Sequence, residues 1–216
     1  MAADSPEPFQ MHELPGAPAF FGRDGELGAL RDAWEQGYQG VYAIVGLGGA
    51  GKTAVVSQFL SDVNSSDNSL PRPARTFVWS FYRDADTGRF FREAYRYFSD
   101  SITESFTAAG LGLLHQLIEA MARQGRILVI LDGLERVQIS DPHRPEKFGN
   151  LEDPLLRNFL LRFTAGTGQA MVVITSRFPL ADLTHRDCRC VRNVELGGLS
   201  VPAAIALLRE RGVRGD

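Results

Sequence analysis

The chain has 216 residues, 44% of them hydrophobic and 23% charged, with a net charge of -3 and two cysteines. That is ordinary globular composition, long enough for one full core, or one core and a piece of another, without disulfide or metal staples. The charge gives no electrostatic reason for direct nucleic-acid binding, the longest apolar runs (such as 127–131) fall far short of the roughly 20 residues of a membrane helix, and Cys188 and Cys190 lie too close for a disulfide framework or a zinc site. A reducing, cytoplasmic setting is expected.

The first eight residues are acidic and proline-bearing, unlike a secretory signal. With Pro6, Pro8, Pro15 and Pro18 and no periodicity, residues 1–19 are expected to form an extended lead-in outside the core. Leu27, Leu30 and Trp34 then follow helical spacing, with Asp24 as the expected N-cap and Gly37 and Gly40 as stops. Beyond them strands and helices alternate. Short apolar, β-branched runs predict strands at 41–45, 76–82, 127–132, 171–175 and 190–196. Helices are predicted at 52–63, 90–98, 111–123, 153–163 and 202–211, with polar loops at 64–75 and 135–152. Alternating βα units imply an α/β fold with a doubly wound, mostly parallel sheet. Trp79 and Phe81 read as strand core, the group Phe90, Phe91, Tyr95, Tyr97 and Phe98 reads as core or partner surface, and the four histidines show no ligand spacing.

The segment Gly46-Leu47-Gly48-Gly49-Ala50-Gly51-Lys52-Thr53 fits the phosphate-loop pattern Gly-x-x-x-x-Gly-Lys-Thr between a predicted strand and a predicted helix. Its glycines allow backbone N–H groups to wrap a polyphosphate, and the helix opening at Lys52 points its positive end the same way. Lys52 would reach the β- and γ-phosphates and the Thr53 hydroxyl would ligate Mg2+. Asp132 ends the next fully apolar strand, where an aspartate can hold that metal. Three residues on, Glu135 could orient or deprotonate a water near the γ-phosphate; the alternative is a solvated glutamate paired with Arg136.

These residues make the chain resemble the nucleotide-binding domain of the STAND NTPases, the group that includes the NB-ARC and NACHT signalling ATPases, over roughly residues 18–213. Phe20-Phe21-Gly22-Arg23 with Glu26 is similar to the signature that precedes that domain and lines its adenine pocket, which implies Phe21 and Arg23 at the nucleotide; a surface charge at the helix start is the alternative for Arg23, and core anchors for Phe20 and Phe21. Met171 to Arg177 resembles the sensor strand, implying that Arg177 reads the γ-phosphate; a solvated loop arginine is the alternative. Phe77 to Tyr82 resembles the second-strand region of bacterial members, and Val194 to Ser200 resembles the entry into the helical domain. The resemblance implies a five-stranded sheet of order 5-1-4-3-2 with helices on both faces and the sensor strand between the two Walker strands. It implies a nucleotide-binding domain at 20–198 and the start of a helical, lid-type domain at 199–216. The implied ligands are ATP or ADP with Mg2+, held by Gly46 to Ala54 and by Thr53 and Asp132.

By the same resemblance the chain is a nucleotide-dependent signalling switch with slow hydrolysis. Fused or associated effector and sensor domains and nucleotide-dependent self-association would go with it. The 216 residues are then a piece of a larger protein or a minimal relative, and the piece is the expected reading. The competing function is a catalytic P-loop ATPase or small-molecule kinase, although no arginine-rich lid is visible between the third and fourth helices. A GTPase does not fit, because Lys52 and Lys147 are the only lysines and neither stands in an Asn-Lys-x-Asp tetrad.

Overall fold

The computed structural model describes residues 9–10, 12–16, 20–65, 69–99, 110–164, 169–184 and 190–213, so Cys188 and His185 lie outside the described residues. In chain order the elements are β1 (Phe9–Gln10), α1 (Asp24–Glu35), β2 (Gly40–Val45), α2 (Lys52–Asn64), β3 (Arg75–Ser80), α3 (Thr87–Ser99), α4 (Leu111–Ala122), β4 (Ile127–Asp132), α5 (Pro154–Thr164), β5 (Ala170–Ser176), α6 (Ala181–Thr184), β6 (Val191–Glu195) and α7 (Val201–Glu210). Two 3-10 turns, Leu134–Val137 and Pro145–Lys147, lie between β4 and α5.

All pairings are parallel, and the strand order is β1-β3-β4-β5-β2-β6. Without β1, this is the expected five-stranded order read from its other end, with β5 between β2 and β4. Strand alternation divides the core in two. Val41, Ala43, Phe77, Trp79, Val129, Leu131, Val172 and Ile174 face α3, α4 and α5. Tyr42, Ile44, Val78, Leu128, Ile130, Met171 and Val173 face α1 and α2. Because β3, β4 and β5 are covered on both faces, nearly every residue in them is buried, which is why 77–79, 127–131 and 170–174 read as unbroken apolar runs. The phenylalanines of the aromatic group lie in the core, with Tyr95 and Tyr97 half-buried against it: Phe90 meets Phe77, Trp79 and Phe159 at ring-centroid distances of 5.5 to 6.0 Å.

Four expectations need correction. The lead-in is not wholly outside the core: Phe9–Gln10 pairs with Phe77 and Val78, and Leu14 is buried in the α1–α2 core. The second predicted strand ends at Ser80 rather than residue 82, because Phe81, Tyr82 and Arg83 turn away with Arg83 N donating to Ser80 O. Asp24 is the first residue of α1, and Arg23 takes the cap position without a side-chain cap. The helix predicted from 90 starts at Thr87, where Asp86 Oδ1 accepts from Arg89 N (3.0 Å) and serves the free first-turn amide.

Candidate functional site

The carboxyl ends of β2, β4 and β5 converge on the phosphate loop, the position open α/β sheets reserve for ligands. The loop leaves β2 at Val45 and enters α2 through Gly51, whose φ of +94° is strained for any residue with a side chain. No side chain caps α2, so its first amides remain open to a ligand. The Lys52 ammonium donates to the carbonyls of Gly46 (2.7 Å) and Leu47 (2.9 Å). Burial lowers its pKa from the ordinary lysine value; Arg177 adds to that, while Glu135 and Asp132 oppose it.

Asp132 is 1% exposed, and three hydroxyls meet its carboxylate. Thr53 Oγ1 (2.8 Å) and Thr175 Oγ1 (2.7 Å) donate to Oδ1, and Ser80 Oγ donates to Oδ2 (3.2 Å). The Thr175 hydroxyl also accepts from Gly133 N at 2.9 Å, which fixes the turn beyond the strand. Gly133 makes that turn with φ +76° against the Tyr82 ring, and the 3-10 turn after it carries Glu135 back toward the sheet.

Glu135 is buried, and its partner is Arg177, not Arg136, which is exposed. Its carboxylate accepts from Arg177 Nε (3.0 Å), from Arg177 N (3.2 Å) and from the Tyr82 hydroxyl. Burial, then the bond to Glu135, raises the Tyr82 pKa to about 12. The Arg177 side chain is half exposed, and its guanidinium lies so close over Gly48 that a Cβ there would sit 3.1 Å from Cζ.

Arg23 is 5% exposed, so it is no surface charge. One guanidinium nitrogen pairs with Glu26 (2.9 Å), and the other donates to the carbonyls of Ala50 (2.9 Å) and Gly197 (2.6 Å). It therefore fastens the phosphate loop to the segment after β6. Between these parts lies a cavity of about 630 Å³ walled by Arg23, residues 46–50, Arg177, Pro179 and residues 195–199. That volume is within the usual range for small-molecule sites, roughly 300–1,000 Å³.

The structure thus brings together Gly46 to Thr53, Asp132, Glu135, Arg177 and Arg23. Ala54 follows in the first turn of α2, half buried. Phe21 is half buried and not on the cavity wall, and Phe20 packs against the α1–α2 core. Sequence reasoning missed Ser80, Tyr82 and Thr175. Hydroxyl residues ending the strands beside the Asp132 strand were the available signal, because adjacent parallel strands place their last residues together.

A glycine loop carrying Lys and Thr between a strand and a helix, set beside a strand-end carboxylate with one further strand between, defines a P-loop NTPase nucleotide-binding domain. The AAA ATPase domain family matches residues 19–161, more than half of the chain, and the chain belongs to that family. Among solved structures it is similar to a STAND protein with a tetratricopeptide repeat sensor from Pyrococcus horikoshii (19% identity, TM-score 0.51, 91% of this chain and 26% of that one). It is also similar to the ORC1 protein of Aeropyrum pernix, solved in complex with DNA (18%, 0.61, 91% and 50%). A third likeness is to the ORC2 protein of the same organism, solved as ADPNP-ADP complexes (14%, 0.60, 93% and 54%). These likenesses are of fold, and the chain spans 26% to 54% of those chains. The curated proteins give no match. No helix among the described residues is long and apolar enough to cross a membrane.

Proposed function

We propose that this domain binds ATP and ADP and acts as a nucleotide-dependent signalling switch of the STAND kind, with slow Mg2+-dependent hydrolysis. The observation that carries the reading is the 2.8 Å hydrogen bond from Thr53 to Asp132, which brings the phosphate loop and the strand-end acid into one site. In this reading the amides of residues 46–54 bind the phosphates, Lys52 neutralises them, and Arg177 reads the γ-phosphate. Arg23, and Phe21 two residues before it, serve the adenosine side. Mg2+ suits hydroxyl and carboxylate oxygens, so Thr53 and Asp132 would hold it; when bound it supplies charge neutralisation at the β- and γ-phosphates.

Glu135 is the candidate base that orients or deprotonates the attacking water. Its carboxylate is engaged by Arg177 and Tyr82, which favours slow turnover. The switch part of the reading rests on Arg23, which ties the phosphate loop to Gly197, four residues before α7. Nucleotide-dependent movement of the loop would pass along that connection into residues 199–216, read as the start of a lid-type domain. Effector and sensor domains, fused or associated, and nucleotide-dependent self-association belong to the same reading; the P. horikoshii protein carries a tetratricopeptide repeat sensor.

Glu135→Gln tests the mechanism. It should keep nucleotide affinity within about threefold while hydrolysis falls by about 100-fold or more, the usual contribution of a general base. Equal turnover in the two proteins removes Glu135 from the mechanism. Wild-type turnover near 10 s⁻¹, a typical enzyme value, would favour a catalytic ATPase over a switch.

A further inference from the structure

Gln138 follows the 3-10 turn Leu134–Val137 in the stretch expected from sequence to be a polar loop, yet it is 3% exposed and all its amide groups are used. Its Nε2 donates to the carbonyls of Gly149 (2.6 Å) and Pro179 (3.0 Å), and its Oε1 accepts from Ser176 Oγ (2.6 Å). Ser176 Oγ in turn accepts from Phe178 N at 3.0 Å. The residues held in this way, Ser176, Phe178 and Pro179, flank Arg177 on both sides. The amide of Arg177 itself is held by Glu135, three residues before Gln138. The Ser176 carbonyl also accepts from Gly46 N (3.1 Å), so the same strand end is registered against the phosphate loop.

We propose that Gln138 is a positioning residue for Arg177 and sets how strongly the site distinguishes a nucleoside triphosphate from a diphosphate. The inference rests on the reading of Arg177 as the group that meets the γ-phosphate. The chemistry requires an amide: two N–H donors for two carbonyls and one oxygen for a hydroxyl, a set that neither methionine nor an ionised glutamate provides. Arg177 gains reach from its half-exposed side chain and aim from its main chain, and Gln138 holds that main chain. Loss of the amide strands the Pro179 and Gly149 carbonyls and lets the turn at 177–180 relax, moving the guanidinium away from its place over Gly48.

The test is calorimetric titration of the folded chain with MgATP and, separately, MgADP, on wild type and on Arg177→Ala, Gln138→Met and Ser176→Ala. Arg177→Ala and Gln138→Met should each cut the preference for ATP over ADP by about tenfold, in the range of typical coupling between sites, with ADP affinity held within about twofold. In the Arg177→Ala background, Gln138→Met should change the preference no further. Ser176→Ala should move the preference in the same direction, and it decides the matter if Gln138→Met fails to fold. If Gln138 were only structural, ADP affinity would fall as much as ATP affinity, with or without Arg177, and that result overturns the proposal. If Arg177→Ala leaves the preference unchanged, the γ-phosphate reading falls and this inference falls with it. If Arg177→Ala collapses the preference while Gln138→Met and Ser176→Ala both keep it, this inference alone is refuted.

Discussion

Replacing Thr175 by valine keeps shape and removes one hydroxyl, at a position 1% exposed. That hydroxyl gives Asp132 its shortest hydrogen bond, 2.7 Å, and is the acceptor for Gly133 N at 2.9 Å. A hydrogen bond to a charged group contributes about 1.5–3 kcal/mol, and leaving the Gly133 N–H buried without a partner costs about 1–3 kcal/mol. Asp132 keeps Thr53 and Ser80, so part of the first loss is recovered. We expect Thr175→Val to destabilise the fold by about 2–4 kcal/mol. For a chain of this size that is a fall of roughly 5–15 °C in melting temperature. Thr175→Ser, which keeps the hydroxyl and loses only a methyl group, should cost about 1 kcal/mol. The assay is urea unfolding followed by tryptophan fluorescence, with the slope against denaturant checked for constancy. A Thr175→Val protein within about 0.5 kcal/mol of wild type would refute the claim that this hydroxyl holds the acid and its turn together.

Gly133→Ala places a Cβ 2.5 Å from the Tyr82 ring at φ +76°, so urea unfolding should show a loss of about 2–3 kcal/mol, smaller in a Tyr82→Ala background; an unchanged loss there would exclude the ring as the cause. Arg23→Ala should weaken nucleotide binding about tenfold by freeing the Ala50 and Gly197 carbonyls, and Arg23→Lys should not restore it, because an ammonium lacks the planar fork; titration with MgADP checks both. His12 Nδ1 accepts from Ser80 N at 3.0 Å; burial lowers the pKa below the ordinary 6.5, helped by Arg83 and Arg89 and opposed by Asp84. The folded state then binds fewer protons than the unfolded one, so this stability is complete above pH 6.5 and lost as pH falls below it toward the folded value. His12→Gln should flatten the wild-type difference in unfolding free energy between about pH 7.5 and pH 5.5, and an unchanged difference would remove His12 from the account.

Much of the fold was legible because strands buried on both faces must be apolar in their middles, as β3, β4 and β5 are at 77–79, 127–131 and 170–174. The phosphate loop was legible because its chemistry demands fixed residue types at fixed spacing. The two-residue β1 was not, since a pairing so short leaves no periodicity, and the prolines around it signal loop. Glu135 was found, but its partners were not. Tyr82 reaches it only because the chain turns after Ser80, and Arg177 reaches it only because β5 lies beside β4. The partners of Arg23 were not legible, because the carbonyls it holds are 27 and 174 residues away. Gln138 carried no motif at all. A glutamine between Val137 and Ile139 inside a polar stretch was the faint sign of a buried amide.

The central claim, a phosphate-binding site built on Lys52, is tested most directly by melting the wild-type chain and Lys52→Ala with and without millimolar MgADP. A ligand bound only by the native state at about 100 times its dissociation constant adds about 2.7 kcal/mol. In a chain of this length that is a rise of roughly 5–10 °C. Wild type should show that rise and Lys52→Ala none, with both proteins folded before nucleotide is added. A folded wild type that does not shift, or a Lys52→Ala protein that shifts equally, would contradict it.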